Sequence, residues 1–225
     1  STLVSDKKKH EFKPYAYPQD SGSSYNWDSD KDTGKIKWGY GPNGGCPTPI
    51  TPLTDDYTKL QNAAGAIKAN NGFGTLTDTG MAWGLRTLTP SAPFTEAAKK
   101  KDKKGVGIWT STNWDKAIVI MTDGQTYMGW DGVGYSWYTG YGRTSDPHWK
   151  DLFGKNTDRN GGIKQSDQNL INLCKKAKDH GILVFTVTFG DGAKTGNIRK
   201  IFDDCATRPD MAFHAPKNED LKLQY

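Results

Sequence analysis

Apolar residues along the chain fall into two kinds of pattern. Two runs, 117–122 and 182–189, are apolar at nearly every position, which predicts strands buried on both faces of a parallel sheet. Elsewhere, apolar residues recur three and four apart, which predicts helices. The predicted elements are, in chain order, a helix capped by Thr54 or Asp55 and closed by Gly72, a helix at 80–88, a strand at 117–122, a helix capped by Ser166 or Asp167 and closed by Gly181, a strand at 182–189, a helix at 198–205 and a strand at 211–214.

Helices that alternate with buried strands are typical of an α/β fold with a doubly wound, mostly parallel sheet. The connections between the strands are long enough for right-handed crossovers. Asp123 directly follows the first strand, and open sheets of this class bind ligands at the carboxyl ends of their strands. Gly124 lets the chain turn sharply there, so we expect the Asp123 carboxylate to be exposed at that edge.

Two segments lack periodicity. Residues 1–50 form an irregular excursion rich in Pro, Gly and aromatic residues, and residues 51–225 hold the periodic elements. A long insertion at 125–165 combines aromatic residues with glycines. A loop of this length inside a compact domain is usually functional or mobile.

Composition and charge exclude several classes of protein. The net charge of +5 is spread along the chain, and the basic run 99–104 has no stacking array beside it, so we predict no nucleic-acid binding. No apolar run is long enough to span a membrane. The four histidines lack zinc-ligand spacing, and neither a nucleophile elbow nor a phosphate loop is present. We therefore predict that the chain is not an enzyme.

Three cysteines, Cys46, Cys174 and Cys205, are an odd number. In an oxidising compartment one of them is left over or pairs outside this chain. Three buried, reduced thiols are the alternative.

Asp123 and the hydroxyl-rich loop around Thr75 carry the candidate chemistry. Carboxylate and hydroxyl oxygens with waters suit a hard cation such as Mg²⁺. An ordinary helical first turn that satisfies its own backbone explains Thr75 equally well.

A resemblance adds weight to the metal interpretation. The segment Gly74-Thr75-Leu76…Gly80-Met81-Ala82-Trp83-Gly84-Leu85-Arg86, with Leu88-Thr89-Pro90 and Pro93-Phe94, resembles the G-x-T…G-L-A-W-G-x-R-x-L-S-P…P-F segment of TadG-like pilus-assembly proteins. The stretch from Ile118 to Gly124 is similar to their VIVLMTDG strand. Further matches lie at Phe12 to Tyr15, Cys46-Pro47, Pro52 to Thr54 and Asp204 to Ala206.

This resemblance implies a von Willebrand factor A (VWA) domain with a metal-ion-dependent adhesion site. Thr75 and Asp123 would then supply its second and third metal-binding segments, and the cofactor would be Mg²⁺, or Ca²⁺ or Mn²⁺. An acidic side chain of a protein partner would fill the open coordination position. The implied role is extracytoplasmic, in the assembly of Tad/Flp-type pili at the bacterial periplasm or cell surface.

One departure from the family concerns its first metal motif, Asp-x-Ser/Thr-x-Ser, which ends a central strand. No such motif on a buried strand precedes residue 50. Because the edge of strand 117–122 would be left uncovered, we expect a companion N-terminal half, or a separate chain, that completes the sheet. The partner of Cys46 would lie in that half, which leaves Cys174 and Cys205 to form a disulfide.

Partner recognition is expected from the aromatic insertion, because Tyr and Trp supply rigid, amphipathic contact area. The predicted contact residues are Tyr127, Trp130, Tyr135, Trp137, Tyr138 and Trp149. One alternative is a surface that binds envelope carbohydrate through Trp130, Trp137 and Trp149. Another is a metal-free structural subunit, whose aromatic loop packs against a neighbouring chain.

Overall fold

A computed structural model of the chain describes residues 48–67, 74–99, 104, 114–128, 138–139, 142–143, 159–217 and 219–220. The chain divides into two units, of which one comprises Ser1–Pro49 with Ile67–Asn70 and the other Ile50–Ala66 with Asn71–Tyr225. All the helices and strands below belong to the second unit.

The described elements alternate between helices and strands. In chain order they are α1 (Tyr57–Gly65), β1 (Gly74–Thr75), α2 (Thr77–Leu88), α3 (Glu96–Lys99), β2 (Lys116–Thr122), β3 (Tyr127–Met128), β4 (Tyr138–Thr139), β5 (Gly142–Arg143), α4 (Arg159–Asp179), β6 (Ile182–Phe189), α5 (Gly190–Lys194), α6 (Gly196–Cys205), a 3₁₀ turn (Pro209–Met211) and β7 (Ala212–Ala215).

Three of these strands form a parallel sheet in the order β2-β6-β7. Strand β2 pairs with β6 along its whole length, from Lys116 opposite Ile182 to Thr122 opposite Thr188. Strand β7 pairs with the second half of β6, from Thr186 to Phe189. The predicted α/β class with a parallel sheet is therefore confirmed.

Three helices pack on one face of this sheet and form the core with it. Ile118 and Ile120 of β2 meet Ile182 and Val184 of β6 on this face. The helices contribute their apolar sides to the same cluster, namely Met81 and Leu85 of α2, Leu170, Cys174 and Ala177 of α4, and Ile198, Phe202 and Cys205 of α6.

The prediction that strand 117–122 is buried on both faces is wrong. Burial alternates strictly along β2, and Val119 and Met121 on the second face are 61% and 45% exposed. The physical reason is that α2, α4 and α6 all pack against the face that carries Ile118 and Ile120. Within the described part of the chain, β2 is also an edge strand, because only β6 pairs with it.

Several predicted helix ends shift by a few residues. Helix α1 begins after Asp56, whose carboxylate accepts a hydrogen bond from the amide of Lys59 at 3.0 Å, so neither Thr54 nor Asp55 is the cap. Helix α1 ends at Gly65 rather than near Gly72, which lies outside the described residues.

Helix α4 begins at Arg159, so the end of the 125–165 segment is helical, and Ser166 and Asp167 lie inside the helix rather than at its cap. Gly181 closes α4 as predicted, with a φ of 68° that favours glycine.

A disulfide joins Cys174 of α4 to Cys205 of α6, and both residues are fully buried. Its Cα atoms are 5.1 Å apart. The pairing implied by the family resemblance is present, while Cys46 lies outside the described residues. The bridge fixes the two helices that cover β6, and Lys178 adds a second tie by donating to the carbonyl oxygens of Asp204 and Ala206.

None of the helices in the described ranges is both long enough and apolar enough to cross a membrane.

Replacing both bridge cysteines, Cys174→Ala with Cys205→Ala, removes the covalent link between α4 and α6. The bridge closes a loop of 31 residues, for which the chain-entropy relation gives a loss of about 3–4 kcal/mol in the free energy of unfolding. Chemical denaturation of the variant and of the unreduced parent measures the difference. An unchanged denaturation midpoint would show that the bridge does not constrain the unfolded chain.

Candidate functional site

Strand β2 ends in a tight turn that exposes Asp123. The hydroxyl of Thr122 donates to the carbonyl oxygen of Gly124 at 3.1 Å and accepts from the amide of the same glycine at 3.4 Å. This side-chain bonding turns the chain directly after the last paired position of β2. The Asp123 side chain is exposed and accepts no hydrogen bond from any residue that the structure describes.

Helix α5 holds the backbone of this turn from the other side. The amide of Gly192 donates to the carbonyl oxygen of Asp123 at 3.0 Å. A Cβ atom at Gly192 would lie 2.9 Å from the carbonyl carbon of Asp123 and 3.0 Å from the amide nitrogen of Gly124. Only a residue without a side chain lets α5 approach this closely, and the contact fixes the turn against the end of β6.

Thr75 lies in β1, a two-residue strand that pairs antiparallel with β3. The register places Thr75 opposite Tyr127 and Gly74 opposite Met128. Strand β3 follows Asp123 within a few residues, so the pairing ties the Thr75 loop to the segment that leaves β2. Helix α2 begins two residues after Thr75 and lies against the core face of the sheet.

Thr75 and Asp123 are both exposed, and no hydrogen bond joins them. Their oxygen atoms match the ligand type of a hard cation, but one carboxylate and one hydroxyl are too few for a protein metal site. No group of three or more His, Cys, Asp or Glu residues within the described ranges could hold a metal ion. These residues alone therefore do not form a complete metal site.

A second polar cluster, which the sequence interpretation missed, lies between the loop after β2 and helix α4. The hydroxyl of Thr126 donates to the carboxylate of Asp167 at 2.5 Å. Burial raises the pKa of the Asp167 carboxyl, the Thr126 hydrogen bond opposes this rise, and the charge of Asp78 adds to it. The sequence signal for this cluster was a polar residue on the inner side of a long helix. The prediction that Asp167 caps the helix prevented this interpretation.

A chain of three polar side chains links β6, β7 and α6. The hydroxyl of Thr188 lies 2.6 Å from Nδ1 of His214, and Nε2 of His214 lies 2.8 Å from the carboxylate of Asp203. Hydroxyl, imidazole and carboxylate in this order are also found in hydrolases. Thr188 is fully buried, however, so its hydroxyl cannot reach a substrate. The chain instead satisfies a buried hydroxyl and ties three elements together.

Most of the predicted aromatic contact residues lie outside the described residues, namely Trp130, Tyr135, Trp137 and Trp149. Tyr138 begins the two-residue strand β4, which pairs with β5. Tyr127 is 48% exposed and is paired with the Thr75 strand.

Replacing Gly192 with Ala tests how the Asp123 turn is held. The new methyl group would collide with backbone atoms of residues 123 and 124, and overpacking of this kind costs about 1–3 kcal/mol in the free energy of unfolding. Gly196→Ala is the matched control, because a Cβ atom there meets nothing within 4 Å. Denaturation curves give both values, and equal stability of the two variants would refute the close contact.

Asp167→Asn tests the burial of that carboxyl. A raised pKa means that Asp167 contributes its full stability below the ordinary value of 3.8, and that this contribution declines as pH rises through the raised value. The neutral Asn escapes this decline and still accepts from Thr126. We expect the melting temperature of the variant, relative to the parent, to be higher near neutral pH than below pH 3.8.

Gln168→Asn, a neutral change at the next and exposed position of α4, is the control for this measurement. A melting difference for Asp167→Asn that does not change with pH would show that the folded chain does not disfavour the ionised carboxylate.

No protein-family model matches the chain, and no curated protein and no solved structure matches it.

Proposed function

We propose that the chain is part of a non-enzymatic adhesion and assembly module of the VWA type, which binds a protein partner at the carboxyl edge of its parallel sheet. The observation that carries this proposal is the presentation of Asp123. Gly192 donates to its backbone carbonyl and Thr122 closes the turn around it, while its carboxylate is exposed and accepts no hydrogen bond from a described residue. A carboxylate that accepts no hydrogen bond from a described residue, on a backbone held by hydrogen bonds, suits the binding of a ligand from outside the chain.

The pairing of β1 with β3 supports the same site. It ties Thr75 to the segment that follows Asp123, so the two proposed metal-binding segments are connected through a single short ladder. Tyr127 belongs to this ladder, is 48% exposed and offers aromatic contact area.

The outer side of β2 supports a companion that completes the sheet. Val119 and Met121 form an exposed apolar stripe, and among the described strands none pairs with the outer edge of β2. An apolar edge strand of seven residues is a template for pairing with a further strand. A companion strand with a helix beside it would cover both the edge and the stripe.

In this proposal the companion also supplies the further carboxylate and hydroxyl ligands that a metal site needs besides Asp123 and Thr75. Bound Mg²⁺, Ca²⁺ or Mn²⁺ would provide an open coordination position for an acidic side chain of the partner. The chain's own contribution is to hold Asp123 at the strand end through Gly192, and Thr75 beside β3.

From the resemblance to TadG-like proteins, we propose that this module acts outside the cytoplasm in a bacterial envelope, with a pilus or envelope component as its partner. The disulfide between Cys174 and Cys205 agrees with an oxidising compartment. The carbohydrate-binding alternative depends on Trp130, Trp137 and Trp149, which lie outside the described residues.

Asp123→Ala tests the proposal directly. We expect this variant, and the parent in the presence of a chelator, to recover about tenfold less partner from an envelope extract of the source cells than the parent with Mg²⁺, because the lost carboxylate lies at the centre of the contact. Asp191→Ala, a change at an exposed carboxylate of α5, is the matched control and should bind as the parent does.

Recovery that survives both the substitution and the chelator would refute the adhesion-site proposal. Binding that fails only in Trp137→Ala, together with retention on glycan arrays by the parent, would favour the carbohydrate alternative.

A further inference from the structure

A small cavity lies beside the carboxyl end of β2, next to the Asp123 turn but built from other side chains. Its volume is about 100 Å³. Ile198 and Phe202 of α6, both buried, form an apolar wall. The polar part of the lining consists of Gln125, Thr126, Asp167 and Asn197.

Asp167 gives this cavity its charge. The carboxylate is half-buried in the cavity wall, and its described polar contact is the hydroxyl of Thr126. No Lys, Arg or His of the described ranges forms an ion pair with Asp167, and the negative charge of Asp78 acts on it. A partly desolvated charge is stabilised most by an opposite charge at close range, so the cavity favours a cation.

The helix N-termini around the cavity favour an anion, but less strongly than Asp167 favours a cation. Thr77 and Asn197, in the first turns of α2 and α6, contribute to the lining, and a helix N-terminus carries about half a unit of positive charge. An anion drawn by these ends would meet the full negative charge of Asp167 within the same small volume. The formal charge therefore decides the sign of the ligand.

The shape and lining decide the type of cation. A divalent metal ion needs several oxygen ligands, whereas this cavity offers one carboxylate and has an apolar wall. A primary ammonium group donates three hydrogen bonds, for which Asp167, Thr126 and the side-chain oxygens of Gln125 and Asn197 are acceptors. The methylene groups of an alkyl chain would pack on Ile198 and Phe202.

We propose that this cavity binds a primary alkylammonium group, with the nitrogen at Asp167 and the methylene chain against Ile198 and Phe202. The group could belong to a lysine side chain of a protein or to a free small amine, since both present the same chemistry. Nothing in this proposal depends on a metal at Asp123.

Titration of the purified 225-residue chain with n-butylammonium, n-butanol and acetate tests the proposal. The side-chain amide resonances of Gln125 and Asn197 report on the cavity by NMR. We expect saturable shifts with n-butylammonium and a dissociation constant at least about tenfold lower than that of n-butanol, which lacks the charge. Asp167→Asn should abolish this preference, while Asp179→Asn, at the far end of the same helix, should leave it unchanged.

Equal affinity for n-butylammonium and n-butanol, or shifts with acetate alone, would overturn the proposal. Unchanged n-butylammonium binding by a folded Asp167→Asn variant would overturn it too. Should that variant not fold, the parent supplies the test, because its affinity for n-butylammonium, but not for n-butanol, must fall as acid protonates Asp167.

The two sources of the group are separated by a second probe. Binding of Nα-acetyl-lysine amide in addition to n-butylammonium indicates a lysine of a protein, whereas binding of n-butylammonium alone indicates a free amine. Both titrations should be unaffected by a chelator and by Asp123→Ala, so their outcome is independent of the adhesion-site proposal.

Discussion

The parallel hydrogen bonding between β2 and β6 is the constraint on which the described structure depends. The register runs without interruption from Lys116 opposite Ile182 to Thr122 opposite Thr188, so both strands end at the same edge. At this edge the chain turns at Asp123 on one strand and enters α5 on the other, and Gly192 brings the two turns into backbone contact. The geometry of the proposed binding edge therefore follows from the strand register and from Gly192, whose lack of a side chain permits the backbone contact.

The same sheet is asymmetric across its two faces. Helices α2, α4 and α6 cover one face, and the disulfide between Cys174 and Cys205 fixes two of them to each other. The other face leaves Val119 and Met121 exposed, and burying such a side chain contributes about 1.5–3 kcal/mol. In our proposal a companion that covers this stripe would gain that contribution and would also pair with the edge of β2 that no described strand covers. The outer side of β2 is therefore where the proposed companion would add stability.

The sequence predicted the helices and strands more accurately than the packing around them. Local signals suffice for β2 and β6, whose apolar runs are unmistakable, and for Gly181, whose positive φ ends α4. They did not reveal that β2 has an exposed face, because an apolar run carries no information about which face the helices cover. The prediction that Asp167 caps a helix failed for a related reason, since the first turns of α4 lack the apolar periodicity by which a helix is predicted.

The candidate site shows the same difference between local features, which the sequence predicts, and long-range contacts, which it does not. The exposed position of Asp123 could be predicted because strand ends and turn glycines are local features, whereas the support from Gly192 and the cavity at Asp167 depend on contacts between residues more than 40 positions apart.

We propose that a companion polypeptide lies beside β2, and native mass spectrometry of the protein from its natural source tests this most directly. We expect a species that is heavier than 24.8 kDa by the mass of one further polypeptide. We also expect a strand of that polypeptide to cross-link to β2. A species of 24.8 kDa with no companion would contradict the claim.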